Sequence, residues 1–483
     1  LWTMGLLESS DWVARWITAA PRSCRTGAEA IVSTLTEPGM PILFRRGFEL
    51  DRPVRRATVH ASARGLFELR LNGNRIGSDR LSPEWTDYHQ RIHYRTYDIS
   101  HQVTSGSNVV AAVLGDGWWS GFVGWQETRA RYGSLETSLL VQLEIEYEDG
   151  DRIVVGTDER WQCAKGPIIS SDLQMGEVYD ARCERMGWDR PGQLEDWDHA
   201  REVPAPEAVL VAQRSEPVRV IETLTPVSTR ELASGARLFD LGQNISGWVK
   251  LQLHGVPIGT RLTIRHGERL DEDGALYTDN LRRARATDVY VSGGNAQEQF
   301  EPHFTCHGFQ YFEITAEPPL PADARVAATG RVVHSSLQSA GRFECSREDV
   351  NRLWLNGLWS QRDNFLSVPT DCPQRDERLG WLGDAQVFLR TATYNMDCAA
   401  FFSKWMVDIE DAQTPEGVFP DVAPRIDESE RFEGLDGLCG SAGWADAGVI
   451  VPWTIWRVYG DRRIVERHWN AMVAWLDYLE STN

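Results

Sequence analysis

With 483 residues the chain is too long for a single hydrophobic core, and a typical domain size divides it into about three. Its formal charge of -20 and pI near 5.1 argue against nucleic acid and anionic membrane surfaces as partners, and no apolar run approaches the roughly 18 residues of a membrane span. A soluble protein with a neutral or small-molecule ligand is expected.

Leu1 to Leu7 read as the middle of a strand, and Leu1 is not an initiator methionine, so the start of the gene product is expected to be absent. Residues 1–40 are taken as a lead-in strand and linker. From 41 to 205 the period is two. Phe67, Leu69 and Leu71 alternate up to Asn72-Gly73, a dipeptide suited to a tight hairpin, and Val141, Leu143, Ile145 and Tyr147 alternate up to Asp149-Gly150. With the apolar runs Val109 to Leu114 and Ile153 to Val155, they predict a jelly-roll-like β-sandwich that could bind carbohydrate. Val203-Pro204-Ala205-Pro206-Glu207 marks a border. A second sandwich is predicted over 206–338, where Val249, Leu251 and Leu253 alternate before the turn at Pro257-Ile258-Gly259, and Leu262 and Ile264 follow it.

Over 339–483 the period turns helical. Ser346 and Asp349 have capping-box spacing, and Val350, Leu353, Trp354 and Leu358 follow along one face. Four more helices are predicted near 380–396, 398–413, 443–459 and 463–481. The fold class is thus β then α, two β-sandwiches followed by serial helices of the kind that build an α/α toroid. The eight cysteines are scattered without metal or redox spacing, and free thiols weakly favour the cytoplasm. Most of the twenty tryptophans are expected in cores, and some could cover sugar rings. Gly115-Asp116-Gly117 lacks the lysine of a phosphate loop and is read as a turn presenting Trp118 and Trp119. His303 and His307 do not have zinc-helix geometry in a strand context, so a packed or hydrogen-bonded pair is expected and no metal is assigned.

The densest chemistry lies between Pro369 and Asp384, where Asp371, Asp376, Glu377 and Asp384 share sixteen residues with Arg375, Arg378 and Trp381. From residue types alone, such a loop is more often a set of helix caps and surface ion pairs than a catalytic loop. The wider context carries a resemblance. Leu71-Asn72-Gly73, Pro83 to Tyr88, Gly115 to Gly121 and Gly176 to Arg182 are followed by Phe239 to Asn244, Gly267-Glu268 and Phe304 to Tyr311. The acidic run and Gly443 to Ala447 come last. In this order they resemble the bacterial α-L-rhamnosidases, glycoside hydrolase family seventy-eight.

That resemblance implies a concanavalin-like second sandwich, the first half of an (α/α)6 six-hairpin barrel, and inverting release of terminal rhamnose from glycosides or polysaccharides without a nucleotide or redox cofactor. It assigns Glu377 as general acid, and Asp371, Arg375, Trp381 and Asp384 as substrate contacts. Trp444 and Asp446 could reach the same pocket, although a helix-cap aspartate beside a core tryptophan fits them equally. Inversion needs a second carboxylate about 6.5–9.5 Å from the acid, expected beyond residue 483. Asp371, Asp376 and Asp384 would disfavour ionisation of Glu377 if they face it, and the arginines would oppose this, so at least one arginine is expected to point elsewhere. Asp376 could cap or pair with an arginine, and Asp421 and Asp427 could border the site or be solvated. Two other readings stay open: a noncatalytic carbohydrate-binding protein, and a six-hairpin glycosidase for another sugar. Structural calcium, homo-oligomerisation and linkage preference are not legible.

Overall fold

Alternating apolar residues bury one face of each early strand, and two such faces close on each other. The computed structural model describes residues 5–19, 35–125, 127–426 and 439–482. Ile42–Leu50, Leu66–Leu71 and Gly106–Gly115 form the middle of a six-stranded sheet, and Val54–Arg64, Arg91–Asp98 and Ser138–Tyr147 that of a seven-stranded one. Val59, Leu69, Val110, Val141 and Trp161 fill one core. Burying a tryptophan side chain of this kind contributes roughly 4–6 kcal/mol, from its area and about 25 cal/mol per Å². The turn at Asn72-Gly73 forms as expected, with φ of 51° and 86° between the paired Leu71 and Asn74.

Pairing crosses the predicted borders. Ile17–Thr18, inside the expected linker, is a strand between Arg201–Glu202 and Ser138–Tyr147. Val209–Ala212, past the expected border, runs parallel to Arg91–Asp98. Ile168–Asp172 and Gly176–Asp180 leave the first sandwich for the next sheet, where Val178 to Asp180 run parallel to Val289 to Val291. Short strands take their partners from distant sequence, which a period-two pattern cannot register. Leu1 to Met4 lie outside the described residues, and Gly5 to Leu7 form no strand.

The second β unit is a ten-stranded sheet organised on Arg237–His254. This strand pairs with His307–Glu317 and Arg325–Ser335, and a register shift between Asp240 and Ile245 interrupts the first ladder. The sheet encloses Phe239, Ile245, Leu262, Phe309 and Phe312.

Among the described residues five helices follow: α1 (Glu348–Asn364), α2 (Leu382–Asn395), α3 (Ala399–Asp411), α4 (Ala447–Tyr459) and α5 (Arg463–Thr482). The Ser346–Asp349 capping box does not form. Arg347 is the N-cap residue without a side-chain cap, Asp349 pairs with Arg347, and the Asn351 amide bonds both Cys345 N and O at 2.8 Å. Asn351 thereby satisfies the backbone entering the helix. Helix α1 packs on the strands Arg237–His254 and Arg325–Ser335, whereas α4 touches α2, α3 and α5. In α5 Ile464, His468, Ala471, Met472 and Trp475 are buried at helical spacing. Val387, Tyr394, Trp453, Trp469 and Leu476 leave an apolar surface on α2, α4 and α5 exposed.

Trp85 joins the first sandwich to the helices. Its N–H donates to Ser367 Oγ at 2.9 Å and its carbonyl accepts from Lys404 Nζ at 2.5 Å, while Lys404 also pairs with the buried Asp408. No helix among the described residues is long and apolar enough to cross a membrane.

Candidate active site

The acidic run forms a closed loop because its ends bond to each other. Asp371 N donates to Leu379 O at 3.0 Å, and Leu379 N returns a bond to Asp371 Oδ1 at 2.9 Å. Beyond the loop, Gly380 pairs with Ala423, and a Cβ at Gly380 would fall 2.1 Å from the Ala423 carbonyl, so this close approach requires glycine. Helix α2 then starts with Asp384 in its first turn.

Arg375 and Trp381 orient Glu377. Arg375 Nε donates to Glu377 Oε2 at 2.9 Å, its Nη2 reaches Asp371 Oδ2 at 3.3 Å, and Trp381 Nε1 donates to Glu377 Oε1 at 3.2 Å. Carboxylate oxygens of Asp371 and Glu377 lie within 4.8 Å of each other. Burial pushes the Asp371 carboxyl up to about 6; the Cys372 thiol opposes this and the Glu377 charge adds to it.

Arg378 is the arginine that turns away from the carboxylates. In a left-handed conformation of φ 60°, it donates to Leu173 O at 2.7 Å, Cys306 O at 2.5 Å, Arg375 O at 3.0 Å and Gln374 O at 3.2 Å. One guanidinium thus joins the acidic loop to the Ile168–Asp180 region and to the second sheet. The Gly308 backbone lies against the same loop, where a Cβ would come 2.7 Å from Pro373 Cγ and 2.9 Å from Gln374 N. Glu268 accepts from Asn244 Nδ2 at 2.8 Å and also bonds Gln374, and burial raises its pKa. The second-sheet segments of the resemblance therefore meet behind Glu377.

The remaining predicted residues divide. Asp384 is exposed and has no side-chain hydrogen bond among the described residues, so it is open to solvent or ligand. Trp444 lies over Gly383, next to Asp384. Asp446 accepts from Gly443 N at 3.1 Å and Trp475 Nε1 at 3.2 Å, which fits a structural brace better than a sugar contact. Asp376 pairs with Arg282 at 3.6 Å. Asp421 accepts from Ser441 N and Oγ, and Asp427 lies outside the described residues.

Trp125 was not singled out from sequence. Its ring stacks on Trp381 with centroids 6.3 Å apart and planes 18° apart, joining the first sandwich to the site wall. Its only local sign is the Gly124-Trp125 turn. Arg282, which follows the short 3-10 turn Asp279–Leu281 in the second β unit, reaches Glu377 Oε2 at 3.4 Å. Trp118 and Trp119 are buried rather than presented: Trp118 stacks on Trp85, and Trp119 on Tyr132.

The expected His303–His307 pair is also replaced. His303 bonds Glu177 at 2.9 Å, whereas His307 stacks on His266 with centroids 4.2 Å apart. Asp288 lies 3.1 Å from His307 Nε2, so His266, Asp288 and His307 have the composition of a metal site. Burial lowers the pKa of His266 to about 3. His307 Nε2 meets Asp288, and His266 Nδ1 meets the Ala286 carbonyl at 2.8 Å, so the trio is tied into the core of the second β unit. Among the described residues seven cysteines are free thiols.

Family comparisons agree with this architecture. Residues 52–222 match the α-L-rhamnosidase N-terminal domain, 230–334 the bacterial α-L-rhamnosidase concanavalin-like domain, and 338–483 the bacterial α-L-rhamnosidase 6 hairpin glycosidase domain. An α-L-rhamnosidase of Streptomyces avermitilis is 44% identical over 99% of this chain and 45% of its own length. One from Formosa agariphila is 33% identical over 99% and 50%. The crystal structure of Streptomyces avermitilis α-L-rhamnosidase complexed with L-rhamnose superposes with a TM-score of 0.87 at 43% identity, covering 92% of this chain and 42% of that one. The chain spans about half the length of the curated relatives it matches. Three consecutive domain matches, with these likenesses across sequence and fold, place the chain in the bacterial α-L-rhamnosidase family.

Proposed function

We propose that this site releases terminal α-L-rhamnose from glycosides or polysaccharides by inversion, with Glu377 as general acid. The arrangement that carries the reading is the Glu377 carboxyl held by Trp381 on one oxygen and Arg375 on the other. Protonated Glu377 gives its proton to the glycosidic oxygen as the C1–O bond breaks and the bonding electrons pass to the leaving group. Water attacks C1 from the opposite face, and a second carboxylate removes its proton. Asp371 does not fit that second role. It is within 4.8 Å of Glu377 and tied to it through Arg375, which leaves no space for a sugar and water between them.

Trp381 and Trp125 would form an apolar wall for the sugar ring, and Asp384 and Trp444 its outer side. The rhamnose-bound relative supports this sugar over the other six-hairpin substrates.

The test is hydrolysis of an aryl α-L-rhamnoside by the protein and by Glu377→Gln, with the anomer of the first-formed rhamnose read by proton NMR. Turnover that vanishes in the variant and yields the inverted anomer supports the proposal. Retained configuration, or full activity in the variant, refutes the assigned mechanism.

A further inference from the structure

We propose that the leaving-group side of this site takes a sugar bearing a carboxylate, and that Arg282 receives it. This inference rests on Glu377 being the acid that faces the glycosidic oxygen.

Trp381 and Arg282 meet different oxygens of Glu377. Trp381 Nε1 bonds Oε1, and Arg282 Nη1 lies 3.4 Å from Oε2. With the Trp381 ring as a rhamnose wall, the Arg282 side faces the departing group. Arg282 is also the inner margin of an open cavity of about 600 Å³, lined with it by Arg265, Thr278, Asp279, Arg285 and Thr287. A cavity of this size admits a monosaccharide unit.

The chemistry of the lining selects the ligand. The whole chain carries a charge of -20, yet three arginines and one aspartate border this cavity. Arg285 is held by Glu37 through both terminal nitrogens, and Arg265 is divided between Glu313 and Thr278. Arg282 differs. Its Nη1 faces Asp376 and Glu377, while Nε and Nη2 make no hydrogen bond among the described residues, and the side chain is 49% exposed. The Nε–Nη2 edge of a guanidinium is a planar two-donor fork matching the two oxygens of a carboxylate. A neutral sugar would leave this fork to water. A uronate linked to rhamnose would fill it and place its glycosidic oxygen beside Glu377.

The experiment compares a rhamnosyl-uronic acid disaccharide with its methyl ester and with the corresponding neutral hexose disaccharide. Affinities are measured by calorimetry in Glu377→Gln, and kcat/KM is measured in the otherwise unmodified protein. The uronate is expected to be preferred by at least about tenfold, as a charge-assisted bidentate contact implies, with the preference shrinking as salt is raised. Arg282→Gln should remove the preference, and Arg282→Lys should restore only part of it because a lysine lacks the planar fork.

Equal affinities for acid, ester and neutral disaccharide, or a preference that survives Arg282→Gln, overturns the subsite. Hydrolysis of the aryl rhamnoside in the same protein separates this outcome from failure of the rhamnosidase reading. Equal binding of acid and ester by the parent protein, with aryl-rhamnoside turnover that needs Glu377, refutes the subsite alone; discrimination in binding with aryl-rhamnoside turnover unaffected by Glu377→Gln refutes the catalytic reading alone.

Discussion

The indole Nε1 of Trp381 donates to Oε1 of Glu377 at 3.2 Å, at the junction where the acidic loop becomes helix α2. The same ring stacks on Trp125 from the first sandwich, so in the proposed mechanism acid orientation and sugar packing would share one side chain. Trp381→Phe keeps an aromatic wall and loses the donor. It is expected to lower kcat about tenfold, the equivalent of one charge-assisted hydrogen bond, with a smaller change in KM. Trp125→Ala should do the reverse, raising KM for an aryl rhamnoside more than it lowers kcat. Steady-state kinetics on both variants distinguish the two effects.

Arg378 holds four backbone carbonyls in a geometry that a lysine ammonium cannot reproduce. Arg378→Lys should lower Tm and reduce kcat by about a hundredfold, because unsatisfied carbonyls loosen the loop that carries Glu377. A stable variant with full kcat and an unaltered pH profile would refute this positioning role.

Gly308→Ala tests the same support from the other side. The added methyl meets Pro373 and Gln374, an overpacking that costs roughly 1–3 kcal/mol. Thermal unfolding should shift down modestly while kcat falls, since the displaced atoms belong to the acid loop.

Asp371 gives a pH signature. Its carboxyl is raised from 3.8 to about 6, so between these values the folded protein binds more protons than the unfolded chain. The favourable linkage is present below about pH 4 and is lost as pH rises through about 6. Asp371→Asn removes this titration. The Tm of the variant minus that of the parent should therefore increase from pH 4 to pH 7, whatever constant offset the lost ion pair to Arg375 adds. A flat difference across that range would show that Asp371 does not titrate there.

The β then α order was legible because burial leaves different periods in strands and helices. Phe67 to Leu71 and Val141 to Tyr147 alternate as half-buried strands do, and Asn72-Gly73 has the turn chemistry its hairpin uses. The acidic loop was visible as composition, and its closing bonds between Asp371 and Leu379 were not. Trp125 and Arg282 escaped notice because each comes from a distant β unit and has no local pattern to mark it. Asp446 stayed open between two readings for a related reason: an aspartate near a helix start has the same sequence appearance whether it faces a ligand or accepts from Trp475.

Gly176–Asp180 lies parallel to Thr287–Val291, more than a hundred residues further along the chain. During synthesis the earlier strand emerges first and must wait for its partner, so the second sheet cannot finish assembling from its own residues alone. A piece cut to contain only 206–338 would present the Thr287–Val291 strand with one edge unpaired, a template for association with other chains. Supplying residues 168–180 in the same polypeptide should suppress that association, making this short hairpin an internal chaperone for the sheet that supports the acid loop.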